Sequence, residues 1–252
     1  MLSNKELRVC VVINMKKVVL QKYIAETGYS SRRQAEDMIR QGKVKVNKKT
    51  AELGMRVNEF DEVIIGDKKI KLVGKKIYII LNKPAGYTCT NRKFKGEKNI
   101  FELIELKERM FAAGRLDKNS RGLVLVTNDG ELTERMTHPR FGHEKEYLIK
   151  LKVESKKLKV EEIIKSFKKG VDIGVNETGK AKKVEYLGGN KFKIILTEGK
   201  KRQIKRMFKE LDLDVADLIR ARIGNIELGK LKTGEWRYLE KNEITNMLNV
   251  NG

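Results

Sequence analysis

The chain has 252 residues, with 56 Lys and Arg against 34 Asp and Glu, a formal net charge of +22 and 40% hydrophobic residues. That excess of positive charge attracts polyanions, with counterion release from phosphates supplying much of the affinity, so nucleic acid is the first partner to consider. The hydrophobic content excludes disorder as the default, and the length suits one large domain or two smaller ones.

The first fourteen residues show neither a sustained period nor a cap, whereas Met15-Lys16-Lys17 opens directly into a periodic segment. Residues 1–15 therefore read as an amino-terminal extension, with Met15 as a natural start. Within it Val9-Cys10-Val11-Val12-Ile13 is shorter than a signal-peptide core, and no stretch of the chain reaches membrane-spanning length. Cys10, Cys89, His138 and His143 lack the close spacing of a metal site, and so few cysteines fit a reducing compartment. The expectation is a soluble, cytoplasmic protein without a metal.

Leu20, Tyr23 and Ile24 recur at helical spacing before Gly28, a natural stop. Ser31-Arg32-Arg33-Gln34 fits a capping box for a second helix, with Ala35, Met38 and Ile39 as its apolar stripe and Gly42 at its end. Lys43-Val44-Lys45-Val46-Asn47 then alternates as a half-buried strand does. Arg32, Arg33, Arg40, Lys43 and Lys45 would form one basic face, either resting on phosphates or simply solvated. Strands around Val57 to Ile65 follow, and Gly66-Asp67-Lys68-Lys69 to Gly74-Lys75-Lys76 reads as a linker. The domain plan is 16–74 for the small unit with its linker and 75–252 for a larger one.

In the larger unit, Ile77-Tyr78-Ile79-Ile80-Leu81 reads as a buried strand leading into the turn Asn82-Lys83-Pro84-Ala85-Gly86. Further strands are expected at 122–127, 146–153, 191–197 and 218–228, with helices at 158–169 and 202–211. This order, without regular β-α-β alternation, predicts an α+β domain with a largely antiparallel mixed sheet. Ile204, Met207, Phe208 and Leu211 form an inward stripe on the last of these helices, leaving its basic residues for a cleft or for solvent. Asp129 reads as a helix cap, and Asn91-Arg92-Lys93-Phe94-Lys95-Gly96 as either an RNA-gripping loop or a solvated one.

The early pattern Tyr23-Ile24-Ala25, Gly28, Ser31-Arg32-Arg33, Ala35-Glu36, Ile39, Gly42, Val44 and Val46-Asn47 resembles the alpha-L RNA-binding domain first named for a small-subunit ribosomal protein. Downstream come Asn82-Lys83-Pro84-x-Gly86, Gly114-Arg115-Leu116-Asp117-x-x-Ser120-x-Gly122-Leu123, Glu144-Lys145-Glu146-Tyr147, Gln203-Ile204-Lys205-Arg206-Met207 and Gly234-Glu235-Trp236-Arg237. In this order they resemble the RsuA/RluB/RluF branch of the ribosomal RNA pseudouridine synthases, most closely the RluF type acting on large-subunit RNA.

The resemblance implies an enzyme that flips a uridine from its stack, cleaves the bond from ribose to uracil N1, turns the base and rejoins it through C5, without a cofactor or a metal. Asp117 would be the essential carboxylate, attacking ribose C1′ or removing a sugar proton, with Lys205 or Arg206 as its cationic partner. Tyr147 would stack on the uracil, the alternative being a buried core aromatic. Arg115, Lys83 and Arg202 would contact RNA together with the basic face of the small unit. Ribosomal RNA is the expected partner of a monomeric enzyme. A noncatalytic RNA-binding or ribosome-assembly factor is the competing reading.

Overall fold

The computed structural model describes residues 17–72, 74–92, 94–153 and 158–248. The expected extension, with Cys10 and Met15, lies outside the described residues, as does Lys93 of the basic loop. The chain divides into two compact units between Gly74 and Lys75.

The smaller unit runs β1 (Val18–Val19), α1 (Leu20–Glu26), α2 (Arg32–Arg40), β2 (Val44–Val46), β3 (Lys49–Thr50), β4 (Arg56–Val57), β5 (Val63–Ile65) and β6 (Lys68–Ile70). Ser31 and Gln34 close the capping box on α2: the Gln34 amide N–H donates to Ser31 Oγ at 3.2 Å, and the Ser31 amide donates to Gln34 Oε1 at 3.0 Å. Leu20, Tyr23 and Ile24 of α1 meet Ala35 and Ile39 of α2 in a core completed by Val44, Val63 and Ile65. The four-stranded sheet has the order β3-β2-β5-β6. The segment expected to begin a linker is therefore partly a strand: Gly66, at φ 59°, turns the chain, and Lys68 to Ile70 pairs back on β5. Two of its three residues are exposed lysines, and Ile70, 5% exposed, is its one anchor in the core.

The larger unit contains β7 (Tyr78–Lys83), β8 (Phe111–Ala113), β9 (Arg121–Thr127), α3 (Gly130–Thr137), β10 (Lys145–Leu151), α4 (Val160–Lys169), β11 (Val171–Asp172) and β12 (Thr178–Gly179). It continues with β13 (Lys183–Tyr186), β14 (Lys191–Leu196), α5 (Gln203–Lys209), β15 (Val215–Ile223), β16 (Ile226–Glu227), β17 (Trp236–Tyr238) and α6 (Lys241–Leu248). A mixed sheet runs β13-β14-β10-β15-β9-β7-β17, with β16 paired to β15 and β8 to β9. Neighbouring strands along it are antiparallel except β9 and β15, which run parallel.

Helices lie on both faces, which is why its central strands read as continuous apolar runs. Ile79 and Leu81 of β7 join one core with Phe167 of α4 and Phe208 of α5, whereas Ile80 joins the other with Leu132 and Met136 of α3. Each fully buried side chain of this size contributes on the order of 1.5–3 kcal/mol. The Phe167 and Phe208 rings meet edge-on with centroids 4.8 Å apart, fixing α4 against α5. Asp129 caps α3 by accepting from the Glu131 and Leu132 amides.

Left-handed residues bound or break two of the expected elements. Arg202 at φ 53° and Asp212 at φ 56° hold left-handed conformations that confine α5 to the residues between them. Gly224, at φ 56°, breaks the expected 218–228 strand into β15 and β16. Among the described residues no helix is long and apolar enough to cross a membrane.

Candidate active site

A cavity of about 740 Å³ opens in the larger unit beside the turn that joins β8 to β9. Gly114, at φ 85°, starts that turn, and Leu116, 8% exposed, anchors it in the core. Arg115, Leu116 and Asp117 all line the cavity. The turn is tied down by three bonds: the Leu116 amide donates to Cys89 Sγ at 3.5 Å, the Ser120 amide to the Asp117 carbonyl at 3.0 Å, and the Gly86 amide to the Lys118 carbonyl at 2.8 Å.

Tyr147 reaches the same cavity from β10 and is 7% exposed. Lys145, two residues earlier on the same face of the strand, lines it as well. Lys205 enters from α5 and Arg202 from the loop before it. That loop is stapled by Gln203, whose Oε1 accepts from the Lys200 amide at 3.1 Å while its Nε2 donates to Glu198 at 2.6 Å. Burial holds the Lys205 ammonium below its ordinary pKa against the opposing pull of the Asp117 carboxylate. Burial also lowers Lys145, with Arg220 adding to the effect.

Two expected site residues are corrected. Lys83 is fully buried and cannot meet RNA. Its Nζ donates to the carbonyls of Pro84 at 2.9 Å, Lys118 at 3.0 Å and Ser120 at 2.6 Å, so it holds the Asp117 turn from behind. Desolvation draws its pKa down to about 8, with Asp117 pulling the other way. Arg206 does not line the cavity, because consecutive helical residues point about 100° apart. Its guanidinium donates to the Ile173 carbonyl at 2.6 Å, the Gly174 carbonyl at 2.8 Å and Glu177 at 2.7 Å, fastening the β11–β12 hairpin to α5.

Arg220 was hidden in the sequence because it stands in a strand that carries other charged residues, where an arginine is ordinarily exposed. It is 2% exposed, lines the cavity, and donates from Nε to the Leu123 carbonyl at 2.8 Å and from Nη1 to the Arg115 carbonyl at 3.4 Å. The alternation of β15 was the available signal: Leu218 and Arg220 share a face, and both line the cavity. In the smaller unit Arg32, Arg33, Arg40, Lys43 and Lys45 are all exposed, with Arg40 paired to Asp37 at 3.2 Å.

Comparison with known proteins identifies the family and the fold. Residues 77–210 match the RNA pseudouridylate synthase family and residues 20–63 match the S4 domain. An RNA pseudouridine synthase of Aquifex aeolicus is 40% identical over 247 residues, covering 94% of this chain and 96% of that protein. The dual-specificity RNA pseudouridine synthase RluF of Escherichia coli is 37% identical, covering 92% of this chain and 79% of its own. The ribosomal large subunit pseudouridine synthase B of Bacillus subtilis is 33% identical, covering 90% and 94%. A crystal structure of a pseudouridylate synthase superposes with a TM-score of 0.67 at 31% identity, covering 91% of this chain and 99% of that one.

Proposed function

The chain belongs to the RNA pseudouridine synthase family, and on that premise we propose that it converts a specific uridine of large-subunit ribosomal RNA to pseudouridine, acting as a cytoplasmic monomer. The observation that carries this reading is the shared cavity of Arg115, Asp117, Tyr147 and Lys205, which come from three separated stretches of sequence. The name of the Bacillus subtilis relative supports the choice of large-subunit ribosomal RNA.

In this reading the uridine leaves its stack and enters the cavity, because the bond to be broken is inaccessible inside a helix. Arg115 and Arg202 meet the phosphates beside it, and Tyr147 stacks on the uracil ring. Asp117, with the Lys205 ammonium at the same cavity, attacks C1′ or takes a sugar proton. Lys145 adds positive charge to the same wall. Arg32, Arg33, Arg40, Lys43 and Lys45 of the smaller unit hold flanking RNA by its phosphates. None of these steps calls for a cofactor or a metal.

Tritium release from C5-labelled uridine in ribosomal RNA tests the assignment. Wild type should release tritium from large-subunit RNA, and Asp117→Asn should bind that RNA without releasing any. Tight binding with no release by wild type, on either subunit's RNA, would instead indicate a noncatalytic RNA-binding role.

A further inference from the structure

Ser120 Oγ and Arg220 Nη2 are both buried and both lack a hydrogen-bond partner among the described residues. Their residues are 1% and 2% exposed, and both line the cavity that holds Asp117. An unpaired buried donor is costly, most of all on a charged group, so two of them at one cavity wall ask for a reason. The rest of Arg220 is fixed: Nε is held by the Leu123 carbonyl and Nη1 by the Arg115 carbonyl, one following and one preceding Asp117 in the chain. Nη2 is the portion of this guanidinium left for something else.

We propose that Arg220 Nη2 and Ser120 Oγ form the donor pair for a carbonyl oxygen of the uracil ring, stabilising the uracil anion released when the N1–C1′ bond breaks. The inference rests on the pseudouridine-forming reading of this cavity. When that bond breaks, its electron pair leaves on N1 and spreads onto O2 and O4, so negative charge grows on an oxygen where fixed donors already stand. Turning the ring about the line from N3 to C6 exchanges N1 with C5 and O2 with O4. One fixed pair therefore serves the base before and after rotation, holding one oxygen and then the other. On the attacking route Asp117 bonds C1′ as N1 leaves and is displaced when C5 bonds C1′; on the proton-removal route Asp117 returns its proton to the sugar as C5 bonds C1′. C5 then gives up its proton and N1 takes one, so the product is an isomer and no other reactant is consumed.

The test compares wild type, Ser120→Ala, Arg220→Lys and Arg220→Met by single-turnover tritium release from C5-labelled ribosomal RNA, with RNA affinity and melting temperature measured in parallel. Ser120→Ala should melt no lower than wild type, since an unpartnered hydroxyl contributes no bond to the fold, yet react roughly tenfold more slowly. Arg220→Met should react about 100-fold or more slowly, the usual cost of one oxyanion donor, and Arg220→Lys should recover part of that loss. RNA affinity should stay within about threefold throughout, because the interaction grows only as the bond breaks. A Ser120→Ala enzyme reacting at the wild-type rate overturns the proposal while leaving the family reading intact. No release by wild type itself would remove the functional reading and this inference together.

Discussion

Gly122 lies against the backbone of Arg220 where β9 and β15 run parallel, so close that a methyl group on it would sit 2.4 Å from the Arg220 carbonyl oxygen and 2.7 Å from its nitrogen. Gly122 also holds φ 106°, which other residues rarely adopt. This approach sets the strand carrying Arg220 beside the strand that leaves the Asp117 turn.

Gly122→Ala should therefore destabilise the larger unit by about 3 kcal/mol, combining overpacking of roughly 1–3 kcal/mol with backbone strain of similar size. Urea unfolding of the full chain measures it. An unchanged midpoint would contradict the close approach.

Lys83 gives the activity a pH signature. Its ammonium has three donors for three carbonyls, and the neutral amine has only two, so deprotonation near pH 8 releases one of the bonds holding the Asp117 turn. The rate of tritium release should decline as pH rises through about 8. Stability moves the opposite way: the native pKa lies below the ordinary 10.5, so between about 8 and 10.5 the unfolded chain binds more protons and the contribution of this group rises with pH. The rise is on the order of 3 kcal/mol. The unfolding free energy of wild type should rise relative to that of Lys83→Met across that window; a flat difference would contradict the depressed pKa.

The residues proposed for the site were legible because the motifs that carry them follow the family's order along the chain. Asp117 stands alone as a carboxylate in its turn, and Tyr147 and Lys205 follow in separate motifs. Lys83 and Arg220 were not legible in their roles, because lysine and arginine are ordinarily exposed and nothing in a sequence says that three carbonyls converge on an ammonium. The stripe Ile204, Met207, Phe208 gave the inward face of α5 but left positions 205 and 206 equivalent on its flanks. Only the β11–β12 hairpin, whose carbonyls and Glu177 capture Arg206, decides between them. Strand β6 was read as linker because its burial rests on Ile70 alone.

That division of labour on α5 predicts opposite phenotypes for neighbours. Lys205→Ala should lower the rate of tritium release by about 100-fold or more while leaving thermal stability near wild type, since Lys205 faces the cavity and not the core. Arg206→Ala should cost about 1.5–3 kcal/mol, the range for hydrogen bonds made by a charged group, with the larger effect on unfolding and the smaller on the rate. Arg206→Ala abolishing release in a fully folded protein would return it to the cavity wall.

The β2–β3 turn carries a strain that sequence change can relieve. Asn47 and Lys48 hold φ 49° and 68°, and Asn47 belongs there because its side chain bonds Asp61 at 2.7 Å and the Glu62 amide at 2.9 Å. Lys48 has no such compensation, and a left-handed conformation costs an ordinary L-residue roughly 1–2 kcal/mol. Lys48→Gly should raise the stability of the smaller unit by about 0.5–1 kcal/mol after its greater unfolded-state entropy is counted. Hydrogen exchange of the β2, β3 and β5 amides reports this unit directly, and faster exchange in the variant would refute the prediction.

The exposed basic residues of the smaller unit should act on affinity and leave the chemical step alone. Arg32 and Arg33 stand exposed at the start of α2, where a positive charge contributes nothing to the helix. Replacing both by Ala should therefore leave folding intact and weaken RNA binding by loss of phosphate contacts. Each neutralised phosphate contributes about 0.7–0.9 to the slope of log affinity against log salt, so the double variant should show a slope shallower by about 1.5. At saturating RNA its single-turnover rate should equal that of wild type, because Asp117 and the cavity lie wholly within the larger unit. A steep fall in that rate with an unchanged salt slope would show these arginines acting on the reaction rather than on the grip.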